Sequence, residues 1–326
     1  MPTPFSLSLI LCTYGRTTEL ELLFQSLAAQ SFRNFEVVVV DQNPDARIMP
    51  YLERARAAGI RLQHVRHDVP NLSVARNIGL HHAQGAWVGF PDDDCWYEPN
   101  MLERLASAFT AAGDLSGLVA RWSEWREPAT LPHRFTWARY HVFRDRLAVS
   151  FMLFFRRSLF DRIGGFDPRL GIGQWFGAAE ETDFVMRALH AGAVLEFRPA
   201  AVVHHPLKEP GNTAADRRDA RQRERGTGAL YVKHGLPPMV IARGLAAPLL
   251  KPLLGREGLG NLAIGWMTAL GRWEGLVQWR RQARLSNELP AVSAIKAPPY
   301  AADRVRALIH EAEPSGYAEM MDSLNR

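Results

Sequence analysis

Four consecutive valines, Val37 to Val40, constrain this chain more than any other feature, because they leave no polar face for water. A strand with one wet face alternates polar and apolar residues. An unbroken β-branched run instead marks a strand covered on both faces, as in a parallel sheet enclosed by helices. The flanking sequence agrees. Strand-length apolar runs alternate with helical-period segments: Ser6 to Cys12 then Thr17 to Gln30, Phe35 to Val40 then Arg47 to Ala58, Ile60 to Val65 then Ser73 to Gln84, and Ala86 to Phe90 then Pro99 to Ala112. This βαβ series predicts an α/β fold, a doubly wound, mostly parallel Rossmann-like sheet with ligands at the carboxyl ends of its strands.

Those ends carry polar groups: Thr13-Tyr14-Gly15-Arg16, Asp41-Gln42-Asn43, Arg66-His67-Asp68 and the triplet Asp92-Asp93-Asp94. Three successive carboxylates after an apolar strand require compensation. An Asp-x-Asp pair suits a hard divalent ion, Mg²⁺ or Mn²⁺, which takes oxygen ligands and shares its remaining positions with water and phosphate. The plainer reading is that the triplet caps the helix beginning after Pro99. That role needs one aspartate rather than three.

Composition narrows the class. At 326 residues and 47% hydrophobic content, the chain holds ample material for a large core. No run of about 20 apolar residues is uninterrupted, and Met1 to Phe5 lead into the first strand without a basic leader, so secretion is not expected. Two cysteines, Cys12 and Cys95, lie in separate motifs, suggesting neither a disulfide framework nor a zinc site; a reducing cytoplasm fits. The net charge of +5 suits anionic partners. No helix-turn-helix, finger or glycine-aromatic RNA motif is present, so nucleic acid is not an expected partner.

Beyond Gly117 the pattern mixes, with strand-like Ser150 to Arg156, a turn at Gly164-Gly165-Phe166-Asp167-Pro168, a helix from Ala179 to Ala191, and strand-like Val194 to Phe197 and Ala201 to His205. Arginines 217, 218, 221, 223 and 225 then crowd a polar helix. The apolar segment Met239 to Leu270 is too broken by Arg243, Lys251, Arg256, Gly and Pro to span a bilayer. Two readings stay open: a helix lying in an anionic membrane interface, or amphipathic packing on the rest of the chain. Leu289 to Arg326 mixes prolines with a short helical pattern and offers no chemistry.

Six motifs in order, Cys12-Thr13-Tyr14-Gly15-Arg16, the strand ending in Asp41, Ala75-Arg76-Asn77-Ile78-Gly79, Phe90-Pro91-Asp92-Asp93-Asp94, Gly164-Gly165-Phe166-Asp167 and Glu180-Glu181-Thr182-Asp183, resemble those of family 2 glycosyltransferases. The resemblance covers roughly Ser6 to Pro206. It implies an inverting, GT-A type nucleotide-diphospho-sugar transferase over residues 1–210, with a nucleotide-binding half (1–115) and an acceptor half (116–210), followed by a helical extension (211–326).

Carried over residue by residue, the resemblance implies that Thr13 and Arg16 line the nucleotide pocket, Asp41 accepts from the base, and Arg76 reaches base or phosphates. Asp94 and Asp92 stand at the metal positions, supported by Asp93, and His205 resembles the late histidine that completes a Mn²⁺ or Mg²⁺ shell, with His204 beside it. Inversion needs a base for the acceptor hydroxyl. The family pattern of Glu-Asp at the start of that helix reads Glu180-Glu181 here, which puts Glu181 in the role, with Glu180 and Asp183 as the other carboxylates in reach. Trp175 and Phe176 either stack on an acceptor sugar or fill core.

The function implied is transfer of a sugar from a nucleoside diphosphate sugar, UDP-linked by expectation, to a saccharide or lipid-linked acceptor in surface polysaccharide or glycolipid assembly, in the cytoplasm, with a place at the cytoplasmic face of the membrane as the open alternative. The alternatives are a non-catalytic sugar-nucleotide-binding or membrane-scaffold subunit and a nucleotidyltransferase. The latter lacks its glycine-rich phosphate loop after the first strand.

Overall fold

The valine run lies inside the sheet, as its pattern predicts. Strand β2 (Phe35–Asp41) pairs in parallel with β1 (Leu7–Thr13) on one side and β3 (Leu62–Arg66) on the other. Val37 to Val40 are all fully buried. Neighbouring residues of a strand point to opposite faces, so both faces of the sheet are covered here. The computed structural model describes residues 6–111, 113–124, 131–145, 148–207, 211–255 and 261–282.

The predicted alternation continues through α1 (Glu19–Ala28), α2 (Met49–Ala57), α3 (Leu72–His82), β4 (Trp87–Gly89), the short β5 (Trp96–Tyr97) and α4 (Met101–Ala111). The mixed second half resolves into β6 (Gly117–Trp122), β7 (His133–Arg134), α5 (Trp137–Tyr140), a 3₁₀ turn over Ser150–Met152, β8 (Leu153–Arg156), α6 (Arg157–Ile163), α7 (Glu180–His190) and β9 (Leu195–His204). Helices α8 (Ala214–Lys233), α9 (Pro238–Leu253) and α10 (Leu262–Gln282) follow. The nine strands form one sheet in the order β3-β2-β1-β4-β8-β6-β9-β5, with β7 beside β9. Strand β8 runs antiparallel to both neighbours, and β5 and β7 run antiparallel to β9; the other strands share one direction.

One expectation is corrected. The two strand segments foreseen at Val194 to Phe197 and Ala201 to His205 are a single strand, β9. Its register against β6 jumps between Ala120 and Arg121, so the residues around Pro199 bulge out. Arg121 Nε donates to the Pro199 carbonyl at 3.0 Å and holds the bulge closed.

Two glycines set how α3 is placed. A Cβ at Gly79 would stand 2.2 Å from Ile10 Cγ2, so α3 lies against β1 at a distance that a larger residue would forbid. A Cβ at Gly165 would stand 2.2 Å from Asn77 Oδ1. Asn77 uses that closeness: its Nδ2 donates to the Phe166 carbonyl and its Oδ1 accepts from the Phe166 amide, both at 2.8 Å. The N-cap Asn71 accepts from Val74 N and donates to the Pro168 carbonyl. The predicted glycine turn is thereby bolted to the first turns of α3.

Helix α7 is held by aromatic packing, with Phe184 stacked on Phe160 (ring centroids 4.3 Å apart) and set edge-on to Phe155. Its N-cap, Ala179, has φ of 80°, a left-handed conformation that costs an alanine about 1–2 kcal/mol. On the far side, α8 meets α10 backbone to backbone: Cβ atoms at Gly228, Gly271 and Gly275 would lie 2.0–2.2 Å from the carbonyl oxygens of Arg272, Arg221 and Arg225. Among the described residues no helix is long and apolar enough to cross a membrane. Arg256 and the stretch Leu289 to Arg326 lie outside the described residues.

Candidate active site

The carboxyl ends of β1, β2 and β4 deliver their polar residues to one place. Thr13, the last residue of β1, donates its hydroxyl to Asp93 Oδ2 at 2.9 Å. Arg16 reaches Asp94 Oδ2 at 3.0 Å. Burial raises the Asp93 carboxyl to about 7, with the Thr13 hydrogen bond working in the opposite direction. Cys12, one residue before Thr13, is buried and its thiol is pushed up to about 12, which removes it as a nucleophile.

A histidine from 111 positions further along closes this cluster. His205 Nε2 lies 3.0 Å from Asp94 Oδ1 and 3.8 Å from Asp92 Oδ2, and one ligand atom from each of Asp92, Asp94 and His205 fits within 4.8 Å of the others. The His205 ring is held by stacking on Phe151 (centroids 4.5 Å apart), by edge contact with Trp122, and by Nδ1 against the Pro206 carbonyl at 2.9 Å. A carbonyl accepts only, so Nδ1 carries the proton and the Nε2 lone pair of a neutral ring faces the carboxylates. Two carboxylate oxygens and an imidazole nitrogen suit Mn²⁺, and Mg²⁺ less closely, so the residues present fit the ion expected from the motif. Burial works against charge on His205, yet Asp94 and Asp92 outweigh it and hold its pKa above the ordinary value.

His204 faces elsewhere. Its Nε2 lies 3.0 Å from Glu98 and its Nδ1 3.0 Å from Glu124, with the ring stacked on Trp96. Consecutive residues at a strand end point to opposite sides, and this separates the two histidines that the sequence left side by side.

Arg76 joins the metal-side acids to those of α7. Its guanidinium is buried, donates to Glu180 Oε1 at 2.8 Å and lies 3.6 Å from Asp92 Oδ1. Burial would lower its pKa, but Glu180 and Asp92 hold it above the ordinary value. Glu181 is less enclosed than Glu180, and burial together with the neighbouring Glu180 charge pushes its carboxyl up to about 8. The raised pKa makes the ionised Glu181 carboxylate a stronger base than an ordinary one, and that form becomes the major one as pH passes about 8.

Three expected site residues are placed differently. Asp183 is fully buried, with Lys233 Nζ, Arg187 Nε and His234 Nε2 all at 2.9 Å. Burial alone would raise its pKa, but Lys233 and Arg187 hold it well below the usual range, and its carboxylate is spent on tying α7 to α8. Trp175 and Phe176 have 5% and 0% exposure. Arg225 covers the Trp175 ring and Trp279 meets Phe176 edge-on, so these aromatics are core contacts of α8 and α10, not an open stacking surface.

Asp41 is fully buried with both oxygens engaged: Oδ1 accepts from the Asn43 amide and Nδ2, and Oδ2 lies 3.0 Å from His64 Nε2. Asn43 Oδ1 in turn accepts from Gly15 N at 2.7 Å, so Asp41 braces the loop after β1. Ser150, Phe151 and Trp122 escaped sequence reasoning. Ser150 donates to Asp92 Oδ1 at 3.0 Å, yet a serine before an apolar strand carries no signal beyond its position.

The family model described as glycosyl transferase family 2 matches residues 8–164. Succinoglycan biosynthesis protein ExoM of Rhizobium meliloti is 28% identical over 215 residues, which is 61% of this chain and 66% of ExoM. The chain thus spans just under two thirds of that relative's length. Among solved structures, mannosyltransferase PcManGT from Pyrobaculum calidifontis, in complex with GDP-Man and Mn²⁺, is similar with a TM-score of 0.55 and 19% identity, over 94% of this chain and 85% of PcManGT. S. aureus TarS 1–349 in complex with UDP-GlcNAc is similar with a TM-score of 0.52 and 17% identity, over 82% and 91%. Likeness at these identities shows the shared GT-A type fold. The family match runs from β1 through the Asp triplet to Gly164, just under half of the chain, and takes in the nucleotide-facing residues from Thr13 to Asp94; over this part the chain is similar to family 2 of the glycosyltransferases.

Proposed function

We propose that this protein is a metal-dependent inverting glycosyltransferase that moves a sugar from a nucleoside diphosphate donor, UDP-linked in the first instance, to a saccharide or lipid-linked acceptor in surface polysaccharide or glycolipid assembly. The observation that carries the proposal is the convergence of Asp92, Asp94 and His205 next to the Arg76 bridge to Glu180. Asp94, Asp92 and His205 are the residues that would hold Mn²⁺ or Mg²⁺. When bound, the ion supplies Lewis-acid neutralisation of the departing diphosphate. Thr13, Arg16, Asp41, Arg76, Asp92 and Asp93 form the nucleotide side, with Arg76 offering its fixed fork of donors to the diphosphate.

Glu181 accepts the proton of the acceptor hydroxyl, helped by its raised pKa, and Glu180 holds Arg76 in place. The hydroxyl oxygen forms its bond to the anomeric carbon from the face opposite the diphosphate. The anomeric C–O bond breaks at the same time, its electron pair leaves with the diphosphate, and the configuration inverts. The module boundary near residue 210 and a peripheral place at the cytoplasmic face of an anionic membrane belong to the same proposal.

Calorimetry of UDP, GDP and dTDP with and without Mn²⁺, on wild type and Asp94→Ala, tests it. Metal-dependent binding of one nucleotide that the variant loses is the expected result, followed by product of inverted configuration. Absence of binding to all three with metal present would overturn it in favour of a non-catalytic scaffold.

A further inference from the structure

Three residues that no motif marks reach the metal-side acids from one edge of the sheet. Strand β8 runs antiparallel to both its neighbours, pairing Phe154 with Gly89 of β4 and with Leu118 of β6, so its first residues lie where β4 and β6 end. There β4 leads into the Asp triplet and β6 ends in Trp122. The 3₁₀ turn at the head of β8, Ser150–Met152, is closed by Met152 N donating to the Val149 carbonyl at 3.0 Å, and all its residues are buried.

Two consecutive residues of this turn grip two different members of the cluster. Ser150 Oγ donates to Asp92 Oδ1 at 3.0 Å, the same oxygen that Arg76 approaches at 3.6 Å, while Asp92 Oδ2 is turned to His205 Nε2 at 3.8 Å. A carboxylate pivots about its last side-chain bond, so a donor on one oxygen selects which oxygen faces an ion. Phe151 lies flat on the His205 ring, with centroids 4.5 Å apart and 6° between the planes. Trp122 stands edge-on to both His205 and Phe151, and its indole N–H donates to the His205 carbonyl at 2.9 Å. One tryptophan thus bounds the imidazole and fixes its backbone. His205 lies one residue past the end of β9, so its orientation depends on these contacts, and a ring left loose would lose rotamer freedom on binding an ion. Phe151 and Trp122 have no atom that binds a hard cation, and the Ser150 hydroxyl is directed at Asp92.

We infer that Ser150, Phe151 and Trp122 are positioning residues for metal binding, which hold Asp92 Oδ2 and His205 Nε2 toward one another before the ion arrives. This role rests on the proposed metal-dependent reading and deepens it by naming what sets the affinity of that site. The competing role for three such residues is core packing alone.

Titration of Mn²⁺ into the full chain by electron paramagnetic resonance, without nucleotide and beside a urea titration of each variant, tests the role. Ser150→Ala, Phe151→Leu and Trp122→Phe are each expected to weaken Mn²⁺ binding about tenfold or more, the loss usual when the support behind a metal ligand is removed. Ser150→Thr keeps the hydroxyl and should recover the affinity. In the metal-free protein the His205 ring protons should show the upfield ring-current shift of a face-to-face stack by nuclear magnetic resonance, and Phe151→Leu should abolish it. Wild-type affinity in Ser150→Ala and Phe151→Leu, with the ion lost in His205→Ala, would leave the metal site standing and overturn the inference. Affinity that falls only in step with the urea midpoint, without recovery in Ser150→Thr, would reduce the three residues to core packing. If wild type itself binds no Mn²⁺, the metal-dependent reading fails and takes the inference with it.

Discussion

Arg76 and Glu180, separated by 104 positions in the chain, share a 2.8 Å hydrogen bond with both side chains almost wholly buried. The same guanidinium stands 3.6 Å from Asp92, so a single cation balances acids from two distant motifs. Removing one partner of such a buried pair costs about 3–5 kcal/mol, because the other is left charged in a dry place. Arg76→Met is therefore expected to lower the urea midpoint markedly and to abolish metal-dependent nucleotide binding. Arg76→Lys keeps the charge and loses the planar fork, so it should recover most of the stability and little of the binding. A methionine variant with wild-type stability would remove Arg76 from this role.

The pH dependence of turnover follows from Glu181. Burial and the Glu180 charge push its carboxyl up from the usual 4.5 to about 8, so below that value the proposed base carries a proton. Rate should rise with pH and level off above about 8. Glu181→Gln should lose the rate and this limb together. The sign for stability is opposite: a carboxyl raised in the folded state favours the unfolded state progressively as pH climbs from about 4.5 to about 8. The glutamine variant should therefore be at least as stable as wild type at alkaline pH, which separates loss of the base from loss of the fold. A pH–rate profile unchanged by the substitution would exclude Glu181 as base.

His204 and His205 provide a matched contrast, being adjacent in sequence and turned to different carboxylates. His205→Ala removes the imidazole beside Asp94 and is expected to weaken Mn²⁺ binding by tenfold or more. His204→Ala leaves Asp92 and Asp94 untouched and should bind Mn²⁺ as wild type does. Titration of Mn²⁺ by electron paramagnetic resonance reads both directly. Equal losses in the two variants would argue for a general disturbance of β9 over a ligand role.

The alternation of elements, the buried valine run and the Asp triplet were legible because each depends on local pattern: period 2 against 3.6, and unbroken β-branching for a strand covered twice. What escaped was decided by packing between distant segments. Trp175 and Phe176 beside an acidic helix read equally well as a sugar platform or as core; only Arg225 and Trp279, 50 and 103 positions further on respectively, decide for core. Asp183 looked like Glu180 and Glu181, yet the helix turns it toward Lys233 and His234. Helical periodicity carries that direction, but not which neighbour waits there. Ser150 and Phe151 lacked any motif and gained their place only because β8 enters the sheet beside β4.

Lys233 provides the last test, on how far α8 belongs to the transferase core. Its buried ammonium lies 2.6 Å from Asp167 in the glycine turn and 2.9 Å from Asp183 on α7, both fully buried. Lys233→Met leaves those carboxylates with the remaining partners only, Arg169 for Asp167, and Arg187 and His234 for Asp183. The expected loss is about 3 kcal/mol near neutral pH. In wild type both carboxyls are held below the usual 3.8 against the effect of burial, chiefly by Lys233, so their contribution is present above that value and is lost as pH falls through the lower folded values. Protonation removes the uncompensated charge in the variant first. The stability gap between wild type and Lys233→Met should therefore be widest near neutral pH and shrink below about pH 4. Urea titrations across that range measure the gap, and a gap independent of pH would mean that Lys233 contributes packing against Trp279 rather than charge.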